Sequence, residues 1–161
     1  MDLLTDTTSQ IAQLLFDKKH TVSVAESSSG GVISAQLLSV PGASRYYRGG
    51  SVVYTLPSRR AFLDIPAERV EGLKPLTEEM VQVFADAAKQ KLDATWGVAE
   101  LGAAGPTGSR YGHAAGTSVI GISGPVNLTS MVQTGKDDRE QNMWTFAAAA
   151  LELLLKALRA A

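Results

Sequence analysis

The chain has 161 residues, 45% of them hydrophobic, which suits one globular domain over residues 1–161 with one substantial core. Its 15 Lys and Arg against 16 Asp and Glu leave a net charge of −1 without a long basic stripe, so a nucleic-acid partner is not expected. The lack of cysteine excludes disulfides, thiolate metal sites and a cysteine nucleophile, and His20 and His113 are too few for a usual zinc site, so no metal and no other cofactor is expected.

Residues 1–10 are polar and acidic and lack the basic-then-apolar order of a signal peptide, and the chain opens directly on a helix; it is read as a stand-alone cytoplasmic domain. From Thr8, the residues Ile11, Leu14 and Leu15 recur at helical spacing and give way to Asp17-Lys18-Lys19-His20, basic residues suited to a helix C-terminus. Thr21 to Ala25 alternates as a short strand, and Glu26-Ser27-Ser28-Ser29-Gly30-Gly31 turns into a helix over 32–38 that Val40-Pro41-Gly42 ends. The aromatic, basic loop Arg45-Tyr46-Tyr47-Arg48 suits an interface, and a homo-oligomer is expected. Ser51 to Tyr54 reads as a strand, and Pro57 opens a short helix through Leu63.

No period is clear between Ile65 and Pro75. Thr77-Glu78-Glu79-Met80 then starts a helix carrying Val83, Phe84, Ala87 and Leu92 at helical spacing, and a strand covers 95–101. Gly102 to Gly108 reads as loop, residues 116–122 and 127–133 as two strands of a hairpin, and Asp137-Asp138 precede a long helix running almost to Ala161. The richest apolar run, Phe146 to Leu155, is only about ten residues long, too short to span a bilayer, so no membrane partner is expected.

Alternating helices and strands with a late hairpin imply an α/β fold: a mixed, mostly parallel sheet covered by helices on both faces. Ligands of such sheets bind at the carboxyl ends of the strands, so the loops after Ala25, Tyr54 and Leu101 are candidates for one shared site. The serine- and glycine-rich turn Glu26 to Gly31 places hydroxyls and backbone N–H groups at a helix N-terminus, an arrangement that serves as an ordinary cap or as a nucleophile beside an anion site. Gly102 to Gly108 is either a tight turn or a backbone able to approach a phosphate closely. Arg139 lies where the helix dipole disfavours a cation, so it has a task or a partner, Asp137 and Asp138 being the nearest.

Taken together, Ala25 to Gly31, Val40-Pro41-Gly42-Ala43-Ser44, Gly49 to Tyr54, Ala103-Ala104-Gly105-Pro106-Thr107-Gly108, Gly116-Thr117 and Asp138-Arg139 resemble, in order and spacing, the CinA C-terminal domain family. The resemblance spans about residues 8 to 160. It implies a three-layer α/β/α fold, hydrolysis of the carboxamide of nicotinamide mononucleotide to nicotinic acid mononucleotide and ammonia, and no metal. It also implies Ser27 as nucleophile, with Tyr54 following, and a small-molecule nucleotide as the partner. Glu26, Ser28, Ser29, Gly30, Gly31, Gly102, Gly105 and Arg139 are the candidate substrate-binding residues.

Three positions depart from the family pattern. Arg59 stands where the family has a lysine base, five residues after the tyrosine; arginine stays charged and offers no acceptor, so it suits an anion contact or a hold on Tyr54. Leu101 takes a hydroxyl position, and Met143 replaces a second arginine of the last helix. Three functions are therefore expected alternatives: an amidohydrolase, a nucleotide-binding or regulatory module that kept the pocket, and an interaction protein with an unused pocket.

Overall fold

Thr5 and Thr8 start the first helix by exchange: the Thr8 N–H donates to Thr5 Oγ1 at 3.1 Å and the Thr5 N–H to Thr8 Oγ1 at 2.8 Å. The computed structural model describes residues 1–161. Its helices are α1 (Asp6–Lys18), α2 (Val32–Leu38), α3 (Leu56–Leu63), α4 (Ala67–Val70), α5 (Glu78–Lys91) and α6 (Arg139–Ala160). Its strands are β1 (Val22–Glu26), β2 (Tyr47–Val52), β3 (Trp96–Ala103), β4 (Thr117–Ser123) and β5 (Leu128–Gln133).

The strands form one sheet in the order β2-β1-β3-β4-β5. β1 pairs in parallel with β2 and β3, while β4 runs antiparallel to both β3 and β5, so β4 alone opposes the other strands. The expected mixed sheet and the expected β4–β5 hairpin are both present. Alternate residues serve opposite faces. Val22, Val24, Trp96, Val98, Ile120 and Ile122 pack with Ile11, Leu15, Leu37 and Leu151 of α1, α2 and α6. On the other face, Ala25, Ala99, Leu101 and Val119 pack with Val81 and Phe84 of α5 and Leu63 of α3.

Helix α5 lies unusually close to the sheet, because β3 and β4 present glycines beneath it. A Cβ on Gly97 would fall 2.0 Å from the Ala85 carbonyl oxygen, and one on Gly121 3.0 Å from that of Val81. No helix is long and apolar enough to cross a membrane.

The structure moves several expected boundaries. β2 runs from Tyr47 to Val52 and not from Ser51 to Tyr54. Pairing with β1 draws Gly49 and Gly50 into the strand, and a Cβ at Gly50 would meet the Tyr47 hydroxyl oxygen at 2.5 Å. Tyr54 lies beyond the strand and is exposed. Gly102 and Ala103, expected as loop, belong to β3, because the pairing with β4 continues through Gly102↔Ser118 and Ala103↔Thr117. α4 fills the stretch without a visible period; four residues are too few to show one. In the aromatic loop, Tyr46 is buried and its hydroxyl donates to the Leu37 carbonyl at 2.5 Å, so it belongs to the core and not to a surface. Burial pushes its phenol pKa up to about 12.

Gly97→Ala removes backbone entropy from the unfolded chain, which by itself stabilises, but its methyl collides with α5. The collision wins, and a loss of about 2 kcal/mol or more is expected in urea unfolding, whereas Gly72→Ala has open space around it and is expected to lose only about 1 kcal/mol, from the strain of its φ of +76°.

Candidate functional site

Parallel β1, β2 and β3 all end at one edge of the sheet, and there the chain turns from β1 into α2 through Ser27 to Gly31. Gly30 and Gly31 have φ values of +63° and +101°, the left-handed region that an L side chain resists. Glu26, the last residue of β1, is fully buried and turns onto the start of α2. Its Oε2 accepts from Ile33 N–H at 3.1 Å, and its Oε1 accepts from Ser34 N–H at 3.0 Å and Ser34 Oγ at 2.8 Å. The first-turn amides of α2 are thus occupied by Glu26, which caps the helix, so of the two expected roles of this turn the cap is present at these amides.

A second buried carboxylate organises the turn from below. Glu100 of β3 pairs in register with Glu26 and is also fully buried. Its Oε2 accepts from Ser27 N–H at 3.1 Å and Ser29 N–H at 2.9 Å, and its Oε1 accepts from Ser28 Oγ at 2.5 Å and Ser118 Oγ at 2.9 Å. The Ser29 hydroxyl sits between the two acids, 2.6 Å from Glu26 Oε2 and 2.9 Å from Glu100 Oε2. Ser28 and Ser29 therefore turn inward, leaving Ser27 as the serine of this turn that lines a cavity. A Cβ on Gly102 would fall 2.4 Å from Ser28 Oγ and 2.8 Å from Glu100 Oε1, so a side chain there would break into this cluster.

The cavity, about 490 Å³, lies at the carboxyl edge. Ser27, Tyr54, Arg59, Gly102, Gly105 and Arg139 line it together, whereas Glu26, Ser28, Ser29, Gly30 and Gly31 stand behind it or outside it. Asp138 caps α6 by accepting from Gln141 N–H at 3.1 Å. Arg139 then swings away from the acids beside it: its Nη1 donates to the Gly105 carbonyl at 2.5 Å and its Nη2 to Tyr54 Oη at 3.1 Å. The partner of Tyr54 is thus Arg139 and not Arg59. Arg59 donates through Nε to the Val53 carbonyl at 3.2 Å and lays its guanidinium over Phe84, 5.2 Å from the ring centroid. Burial pushes its pKa down, and the charges of Tyr111 and Glu100 oppose that shift.

The wall carries Arg59, Arg110 and Arg139 but no carboxylate. None of the three is in an ion pair, since the only pairs are Arg69–Asp86 and Lys91–Asp64. Leu101 is buried in the core beside α5, and the Met143 Cε lies 2.8 Å from where a Gly30 Cβ would be, so both departures from the family pattern fill apolar space. Sequence reasoning missed Glu100, Ser118, Arg110 and Tyr111. The available signal was a lone glutamate in the apolar run Val98-Ala99-Glu100-Leu101, a charge that burial forbids unless it is fully hydrogen-bonded.

The fold and site define a three-layer α/β domain with an arginine-walled cavity at the carboxyl edge of its sheet. Residues 4–158 match the CinA C-terminal domain model. A CinA-like protein of Desulfosudis oleivorans is 36% identical over 150 residues, covering 92% of this chain and 36% of that protein. One from Cytophaga hutchinsonii is 34% identical over 149 residues, again 92% and 36% of the two chains. The chain therefore spans about a third of the length of the curated relatives it matches. Among solved structures, a CinA superfamily protein from Escherichia coli has a TM-score of 0.86 at 25% identity, covering 94% of this chain and 88% of that one. A competence/damage inducible protein from Agrobacterium tumefaciens has a TM-score of 0.84 at 25% identity, covering 99% of each chain. The chain belongs to the CinA C-terminal domain family.

Glu100→Ala strands the Ser29 N–H and the Ser28 hydroxyl at one buried point, while Ser27 N–H keeps the Glu100 carbonyl and Ser118 Oγ the Leu101 carbonyl, and a loss of about 3 kcal/mol is expected in urea unfolding. Glu100→Gln, which keeps one acceptor oxygen, is expected to lose less.

Proposed function

We propose that this chain hydrolyses the carboxamide of nicotinamide mononucleotide, with Ser27 as nucleophile. The observation that carries this reading is that one serine of the β1–α2 turn faces a cavity walled by three unpaired arginines and no acid. Such a wall attracts a phosphorylated small molecule. Ser27 Oγ attacks the amide carbon, and the adjacent Ser28 N–H, which donates to nothing in the protein, is the donor this reading assigns to the developing oxyanion. Tyr54, whose oxygen accepts from Arg139, gives its phenolic proton to the departing nitrogen, which leaves as ammonia, while its oxygen takes the proton released by Ser27 Oγ. Water then releases the acid from Ser27.

A second reading, a module that binds the nucleotide without turnover, is favoured by a specific feature. Arg59 stands where the resemblance places a lysine base, and a guanidinium accepts no proton. Ammonia release from nicotinamide mononucleotide by wild type, Ser27→Ala and Arg59→Lys decides between them. Turnover in wild type, reduced at least about a thousandfold in Ser27→Ala, is expected for the amidase. Silence in wild type with activity appearing in Arg59→Lys would establish the binding module, and silence throughout with saturable nucleotide binding would do the same.

A further inference from the structure

The three arginines of the cavity differ in how much of their hydrogen-bonding capacity the protein uses. Arg139 spends donors on the Gly105 carbonyl and on Tyr54 Oη. Arg59 spends only Nε, on the Val53 carbonyl, and both of its Nη nitrogens lack an acceptor. Arg110 donates to no protein group and is exposed at the cavity wall. Arg59 lines the same cavity as Ser27, and Phe84 beneath its guanidinium holds it in that wall.

Planar guanidinium nitrogens with no acceptor, in the cavity that Ser27 also lines, match a carboxylate in two-point contact far better than they match a neutral amide, which offers one acceptor oxygen. Hydrolysis of the carboxamide creates such a carboxylate in that cavity. With the pyridinium nitrogen counted, the acid form carries about two net negative charges and the amide form about one, against three guanidinium groups, so the acid is the better match.

We propose that Arg59 makes this cavity selective for the acid form of its ligand, so that a pyridine-carboxylate mononucleotide binds more tightly than the corresponding carboxamide, with Arg110 and Arg139 holding the phosphate. The ligand class rests on the reading given under Proposed function; the selectivity belongs to Arg59. As an enzyme, the chain is then held back by its own product, and as a binding module it reports the acid and not the amide.

Calorimetry with nicotinic acid mononucleotide and nicotinamide mononucleotide, on wild type, Arg59→Gln and Arg59→Lys, tests this. Wild type is expected to favour the acid by about tenfold or more, the worth of a charge-assisted contact. The ratio is expected to fall to about one in Arg59→Gln and to keep an intermediate value in Arg59→Lys, with thermal melts showing all three folded. Equal affinities in wild type, binding of neither nucleotide, or a preference that survives Arg59→Gln would each overturn it. Acid preference without ammonia release in any variant upholds the selectivity and removes the catalytic reading; ammonia release without acid preference does the reverse.

Discussion

A carboxylate with no access to water must be surrounded by donors or it unfolds its surroundings, and Glu100 meets that demand with the turn that carries Ser27. Two amides and the hydroxyls of Ser28, Ser29 and Ser118 converge on it, drawing residues from the β1–α2 turn and from β4 onto one residue of β3. Glu26 does the same for the start of α2, and the Ser29 hydroxyl joins the two acids. The polar centre of the sheet and the position of α2 are therefore one unit. The apolar clusters on either face pack around it without contributing to it.

This unit sorts the charges of the domain. The acids near the site are turned inward and hydrogen-bonded by serines and amides, while arginines from α3, the β3–β4 loop and α6 face the cavity without an ion-pair partner. A buried carboxylate satisfied by neutral donors leaves the guanidinium groups free for an external anion. Tyr54 and Arg139 meet across the cavity although they are far apart in the chain, because the end of β2 and the start of α6 share the carboxyl edge.

Two departures from the family pattern acquire a physical account in three dimensions. Leu101 extends the core beneath α5, and Met143 packs toward Gly30, so each converts a polar position into apolar contact. Arg59 is different in kind. Its guanidinium lies over the Phe84 ring while its outer nitrogens have no protein acceptor, so the substitution leaves hydrogen-bond donors in the cavity wall.

Much of the fold was legible in the chain because helical spacing, caps and turn residues are local signals. Ile11, Leu14 and Leu15 marked α1, Asp138 marked the start of α6, and the glycines after Ser29 marked the turn that left-handed φ values require. The association of Ser27, Tyr54, Gly102, Gly105 and Arg139 followed from the rule that parallel strands end at one edge, together with the resemblance of their motifs to the CinA family. Only the tertiary structure decided that Ser28 and Ser29 face inward, that Arg139 and not Arg59 holds Tyr54, and that Glu100 and Ser118 take part. Hydrogen-bond partners from distant strands are set by register, which composition and periodicity do not carry: Glu100 meets Glu26 and the serine turn because β3 lies beside β1, and Ser118 reaches it because β4 returns antiparallel along β3.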